Sequence, residues 1–197
     1  MEIIRSFIMG VKLVWSKLYN HVCPLQYARS LGVNIDDTVK FSGRVHWGTE
    51  PYLISIGANT GLSHNITFLT HDGGVTYASR LDKKYRKIIK FGRIDVGENC
   101  FVGTGVTILP DVIIGNNCII GANSLVTKDI PSGEVWGGNP ARKICTTIEY
   151  AEKCLRETPE YYTRDLLKNK RDEAIKIADA RRNIRNAKHI NQEICSD

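Results

Sequence analysis

A strict step of six residues constrains this chain more than any other feature. Between Val96 and Ile130 an aliphatic residue falls at every sixth place: Val96, Val102, Ile108, Ile114, Ile120 and Val126. The next place reads Gly97, Gly103, Leu109, Gly115, Gly121, Thr127. Three places further on come Cys100, Val106, Val112, Cys118, Ser124 and Ile130. An α-helix repeats at 3.6 residues and a plain strand at two, so neither produces this pattern. A parallel β-helix does. Each hexapeptide then supplies one short strand and one turn, and three hexapeptides complete a triangular coil. The aliphatic residue points inward, and small residues suit the tight corners.

The step reaches upstream through Val33, Val39 and Val45, and again through Ile56, Leu62 and Phe68. Trp47 to Leu53 breaks it, and Gly48 and Pro51 suggest a small loop there. A second break runs from about Asp72 to Phe91, after which Ile94 restores the repeat. Beyond Pro131 the chain is expected to leave the solenoid. Upstream, Ile4, Phe7, Ile8, Val11, Trp15, Leu18 and Val22 fall near one face of a predicted helix over residues 2–22. Pro24 stops that helix, and Leu25 to Leu31 form a short second one. Its expected role is to cap the first coil, because an open solenoid end exposes core and strand edges. Peripheral membrane contact is the alternative. Downstream, residues 148–157 read as helical, and Thr158-Pro159-Glu160 reads as the start of a charged helix reaching about residue 190. The chain is therefore expected to be mainly β. Residues 1–32 form an N-terminal helical cap, 33–145 a β-helix with a loop at 72–93, and 146–197 a C-terminal helical extension.

The repeat ends in Gly121-Ala122-Asn123-Ser124-Leu125-Val126-Thr127-Lys128-Asp129-Ile130-Pro131. It is followed by Gly137-Gly138-Asn139-Pro140-Ala141-Arg142. This ending resembles the hexapeptide-repeat acyltransferase superfamily, in the branch that holds the galactoside, maltose, serine and xenobiotic acetyltransferases. The resemblance covers residues 33–145. It implies a left-handed parallel β-helix, a homotrimer with active sites between subunits, acetyl-CoA as acyl donor and a small-molecule or glycan acceptor. No metal is required for such chemistry.

Composition agrees with one core. Of 197 residues, 42% are hydrophobic, enough for a buried interior. The formal charge of +6 suits an anionic cofactor or acceptor. No nucleic-acid-reading motif accompanies it, so no nucleic-acid partner is expected. Six cysteines show no zinc spacing. Cys100 and Cys118 lie one coil apart and are expected to stack about 4.8 Å from each other as reduced thiols, with a disulfide as the alternative. Neither a secretion signal nor a long apolar run is evident, so a cytoplasmic location is expected.

Transfer of an acyl group from a thioester to a hydroxyl needs a base, donors for the oxyanion and a channel for the donor. Histidine is suited to accept the hydroxyl proton near neutral pH. His71 ends the coil that begins at Ile56 and opens the large loop, in Thr70-His71-Asp72-Gly73-Gly74. The resembling enzymes place their catalytic histidine at this juncture, which implies that role for His71. Asp72 is a candidate to orient it if a turn at Gly73-Gly74 brings the two together. A backbone carbonyl or Glu50 are alternatives, and Asp72 then only forms the turn. The basic loop contributes Arg80 as a candidate acceptor contact. Asn65 is another, unless it forms a corner ladder. The resemblance places the coenzyme arm against Gly103, Thr104, Gly121 and Ala122, and its adenine end near Thr127 and Lys128. It also gives Arg142 and Lys143 as phosphate contacts, with corner geometry as the alternative for Thr104 and Ala122. Backbone N–H groups near Gly103 and Gly121 are the expected oxyanion donors. A zinc site like that of the γ-class carbonic anhydrases needs three histidines, and His46, His64 and His71 lack the spacing. The expected function is acetylation of a sugar hydroxyl in bacterial surface polysaccharide synthesis. Amino sugars, serine or an antibiotic are alternative acceptors, and a silent scaffold is the alternative to catalysis.

Overall fold

In the computed structural model, residues 22–194 are described, with side chains as far as residue 187; the predicted helix over 2–22 lies almost entirely outside them. The hexapeptide step folds into short strands joined by tight corners. The first coil holds β1 (Asn34–Ile35), β2 (Lys40–Phe41) and β3 (Val45–His46), and the second β4 (Ile54–Ile56), β5 (Gly61–Leu62) and β6 (Ile66–Phe68). The third holds β7 (Ile94–Val96), β8 (Phe101–Val102) and β9 (Thr107–Ile108), and the fourth β10 (Val112–Ile114), β11 (Ile119–Ile120) and β12 (Leu125–Val126). Like strands stack into three parallel sheets, β1-β4-β7-β10, β2-β5-β8-β11 and β3-β6-β9-β12. The result is a three-sided parallel β-helix.

Register explains how the repeat survives its interruptions. Asn34 pairs with Ser55, three residues further along than one eighteen-residue coil requires. A 3-10 turn at Pro51–Leu53 absorbs the difference. Ile54 pairs with Ile94 across the 72–93 insertion, and Ile94 pairs with Val112 in an uninterrupted coil. Insertions thus leave at a corner and return to the same one. Trp47 was expected to begin a small loop that breaks the repeat, but it is buried, with its ring stacked on Phe68 at 5.2 Å between centroids.

Inside, Ile54, Leu62, Ile66, Phe68, Ile94, Val102, Ile108, Ile114, Ile120 and Val126 are fully buried. Each such aliphatic side chain contributes about 1.5–3 kcal/mol on leaving water. At the corners a further period appears. Asn59, Asn65, Asn99, Asp111, Asn117 and Asn123 all have φ between 54° and 63°, and Gly105 has φ 72°. Each lies three residues after an inward aliphatic. Asn, Asp and Gly are the residues that tolerate this left-handed backbone. That Asn/Asp/Gly row is visible in the sequence, yet the aliphatic and glycine rows overshadow it. Cys100 and Cys118 are buried free thiols whose neighbours pair across consecutive coils, Phe101 with Ile119.

The solenoid runs further than the repeat suggests. β13 (Glu134–Gly137) pairs in parallel with β11, placing Val135 beside Ile119 and Trp136 beside Ile120. Trp136 is buried there, and β14 (Arg142–Thr146) folds back antiparallel on β13. At the other end, helix α1 (Pro24–Ser30) carries Pro24 in its first turn, with Ala28 buried. Pro24 therefore begins this helix. The large loop contains α2 (Gly74–Ala78) and a 3-10 turn at Lys83–Tyr85.

Residues from 148 onward form a separate unit. Helix α3 (Thr147–Arg156) leads into it, followed by α4 (Thr163–Lys168) and α5 (Lys170–Ile194). Thr158-Pro159-Glu160 does not start a helix. The Thr158 hydroxyl donates to Cys154 O at 2.6 Å, so it closes α3 and does not cap a new helix. Glu157, nearly buried, accepts from Arg181 Nη2 at 3.2 Å, which ties α5 to the end of α3. Among the described residues no helix is long and apolar enough to cross a membrane.

Candidate active site

The three corners of the prism are not alike. After the inward aliphatic, one corner carries Gly57, Gly97 and Gly115, and the next carries Ser63, Gly103 and Gly121. At Gly103 an added Cβ would lie 2.7 Å from Ile120 O, so coils stack tightly there. The third corner, after β6, β9 and β12, carries Leu69, Leu109 and Thr127. That corner opens into a cleft of about 470 Å³ lined by Leu69, His71, Asp72, Gly73, Lys90, Leu109, Pro110 and Thr127.

His71 is fixed by backbone on both sides. It bridges Phe91 in antiparallel fashion. Asp72 N–H donates to Lys90 O at 3.0 Å, and Gly92 N–H to Thr70 O at 2.8 Å. The two ends of the 72–93 loop are thereby zipped together at the imidazole. Its ring meets the edge of Phe91, with 6.1 Å between centroids.

Glu50 sits beneath the ring. Val45 pairs with Ile66 and His46 with Thr67, an offset of 21 residues. The same offset places Thr49 against Thr70 and Glu50 against His71. His71 Nδ1 lies 2.9 Å from Glu50 Oε2. An ionised carboxylate only accepts, so Nδ1 carries the proton and donates. The Thr70 hydroxyl donates to the same oxygen at 2.7 Å. Thr49 Oγ1 donates to Glu50 Oε1 at 2.8 Å and is 3.0 Å from His71 Nδ1. The Thr70 bond first, then the imidazole and Thr49, hold the Glu50 carboxyl below its ordinary value. The Glu50 side chain is 16% exposed and that of His71 43%. The anion is thus sheltered while the imidazole reaches the cleft. This tautomer leaves the Nε2 lone pair free to take a proton.

Asp72 does not bond the ring. Its carboxylate accepts from Gly74 N–H at 2.9 Å and from Lys90 Nζ at 3.4 Å, so it builds the turn and closes the loop. Neighbours along an extended backbone face opposite ways, which sends Asp72 away from the imidazole. Glu50, one of the alternatives, makes the orienting contact. The sequence signal for it is an offset of one coil plus three residues, which the insertion at Pro51–Leu53 disguises.

The residues matched to the coenzyme arm do come together. Gly103, Thr104, Gly121 and Ala122 stack on the corner that precedes the β3-β6-β9-β12 sheet, and Ser63 Oγ lies 2.8 Å from Thr104 Oγ1. The amides of Gly103 and Gly121 are not free to hold an oxyanion. They donate to Ile120 O at 2.9 Å and Trp136 O at 2.8 Å, because in a stacked coil the next coil consumes them. Thr127 lines the cleft beside His71. Lys128 Nζ stands 5.3 Å above the Trp136 ring. Arg142 donates to Ala141 O at 2.9 Å, and Lys143 Nζ pairs with Glu134 Oε1 at 2.6 Å. Asn65 belongs to the left-handed corner row, and its N–H donates to Arg44 O at 2.7 Å. Arg80 lies over the Tyr77 ring, in a different part of the loop from the His71 cleft.

Comparison with known proteins agrees with this architecture. A family profile, bacterial transferase hexapeptide (six repeats), matches residues 93–128. Protein CapG of Staphylococcus aureus is 40% identical over 163 residues, which cover 82% of this chain and 92% of that protein. Galactoside O-acetyltransferase of Escherichia coli is 38% identical over 95 residues, 48% of this chain and 45% of that enzyme. Among solved structures, a maltose O-acetyltransferase from Clostridium difficile is similar with a TM-score of 0.50 and 26% identity. That match covers 66% of this chain and 81% of that one. The chain belongs to the hexapeptide-repeat acyltransferase superfamily.

Proposed function

We propose that this acyltransferase moves an acetyl group from acetyl-CoA to a hydroxyl of a sugar, in the synthesis of a bacterial surface polysaccharide. The observation that carries the reading is the Glu50–His71 pair at the mouth of the cleft. A hydroxyl is too weak an acid to ionise unaided near neutral pH, and an imidazole with Nδ1 anchored and Nε2 free is a suitable base. The similarity to galactoside and maltose O-acetyltransferases supports a sugar acceptor. In this scheme His71 Nε2 takes the hydroxyl proton as the oxygen attacks the thioester carbonyl. The C–S bond then breaks, and the imidazolium returns the proton to the leaving sulfur. Glu50 stays ionised and stabilises the transient imidazolium, the role of the acid in a catalytic triad. Asp72 and Lys90 hold the rim.

The coenzyme arm would run along Thr104 and Ala122, with Lys128 and Arg142 toward its phosphates. That row and His71 occupy successive corners of the prism, separated by the β3-β6-β9-β12 sheet. A homotrimer, in which one subunit's row faces the neighbour's cleft, brings the two together. The reading also takes the coils to wind left-handed and the protein to be cytoplasmic, where acetyl-CoA is made. Its test is thiol release from acetyl-CoA with a panel of sugars, run with the wild type and with His71→Ala. Failure to bind coenzyme A would sink the reading. Full activity of His71→Ala on a true acceptor would sink the base.

A further inference from the structure

The 72–93 loop holds a second cleft that the acetyl-transfer scheme does not use. Its volume is about 570 Å³, and Ser79, Arg80, Leu81, Asp82, Lys83 and Arg86 line it. Charge in the loop is unevenly paired. Asp72 takes Lys90, and Asp82 takes the Lys84 backbone N–H at 2.9 Å and faces Lys84 Nζ at 3.9 Å. Among the described residues, no carboxylate lies in ion-pair range of Arg80, Lys83 or Arg86. Three cations therefore line one concavity against a single carboxylate, Asp82, which is engaged with Lys84. The Tyr77 ring, 4.8 Å below the Arg80 guanidinium, holds that fork in place. Two guanidinium forks and one ammonium make a donor set matched to phosphate oxygens.

The two clefts meet the two ends of α2. Gly73 lines the His71 cleft and Ser79 lines the basic one, with α2 between them. Six residues of helix rise about 9 Å at 1.5 Å per residue. That spacing is comparable to a hexose joined to a diphosphate through its anomeric carbon.

We infer that Arg80, Lys83 and Arg86 bind the diphosphate of an activated sugar, so that the acceptor reaches His71 as a carrier-linked sugar diphosphate. The inference rests on the sugar-acceptor reading. It is tested by direct binding, which does not depend on turnover. Calorimetric titration of the full chain with inorganic pyrophosphate, uridine diphosphate and farnesyl diphosphate should give saturable binding at one site per chain. Arg80→Ala combined with Arg86→Ala should weaken each at least tenfold, while Lys87→Ala, outside the lining, changes Kd less than twofold. Coenzyme A affinity should stay unchanged in the double variant. Tighter binding of the uridine ligand than of pyrophosphate assigns a nucleotide carrier, and tighter binding of the prenyl ligand assigns a lipid carrier. Unchanged pyrophosphate affinity in the double variant overturns the inference. So does a parallel loss of coenzyme A, which would make this a coenzyme phosphate site. An equal loss in Lys87→Ala also overturns it, as unspecific attraction to a basic loop. Intact diphosphate binding with no acetyl transfer to any sugar would defeat the function reading alone.

Discussion

His71 Nδ1 and Glu50 Oε2 lie 2.9 Å apart because their residues occupy equivalent places on consecutive coils, 21 positions from one another. The carboxylate fixes the ring's tautomer, and Thr49 and Thr70 fix the carboxylate. Replacing His71 by Ala is expected to lower kcat by about 10²–10⁴-fold, the usual contribution of a general base. KM for acetyl-CoA should change little, since His71 lies on a different corner from the row matched to the coenzyme. Steady-state thiol release checks both.

Glu50→Gln should act through His71. The Thr70 hydrogen bond above all holds the Glu50 carboxyl low, so Glu50 is an anion across the neutral range. Without that anion the transient imidazolium loses its partner, so kcat should fall while KM for acetyl-CoA and Tm change little. A purely structural role would lower Tm together with kcat.

Asn117 reports on the corner row. Its φ of 58° is costly for a residue with an ordinary side chain. Asn117→Ala is expected to destabilise by about 1–2 kcal/mol, and Asn117→Gly by much less. Denaturant unfolding of the two variants separates backbone strain from loss of the side chain.

Ile120 is fully buried between Val102 and Trp136, its partners in the sheet. Ile120→Ala should cost about 2–5 kcal/mol, the range for such a cavity. Urea midpoints measure it.

Glu134 provides a pH test away from the cleft. Lys143 first, and then the Trp136 N–H, hold its carboxyl below the ordinary 4.5. A lowered native pKa means the folded state binds that proton less tightly than the unfolded state. Its stabilisation is complete above the ordinary value and is lost as pH falls through the native one. The Tm difference between wild type and Glu134→Gln should therefore be largest at neutral pH and shrink in acid.

The sequence by itself determined the β-helix. A period of six suits neither a helix nor a plain strand, so the inward aliphatics and the exit of the 72–93 insertion follow from spacing. Cys100 and Cys118 stack because they are eighteen residues apart. His71 was singled out by the family resemblance, which expects a histidine where the repeat stops. Other features were decided by tertiary structure. The three residues at Pro51–Leu53 shift the register, so Glu50 meets His71 only when the coils stack. Asp72 turns away because the loop's two ends zip together at His71. Trp47 enters the core because a flat ring can stack on Phe68 where the repeat has no aliphatic. The Gly103 and Gly121 amides are spent on the next coil. Local periodicity dictates where each strand lies, but a contact between coils depends on the summed length of everything inserted between them. That sum becomes visible only once the chain has closed on itself.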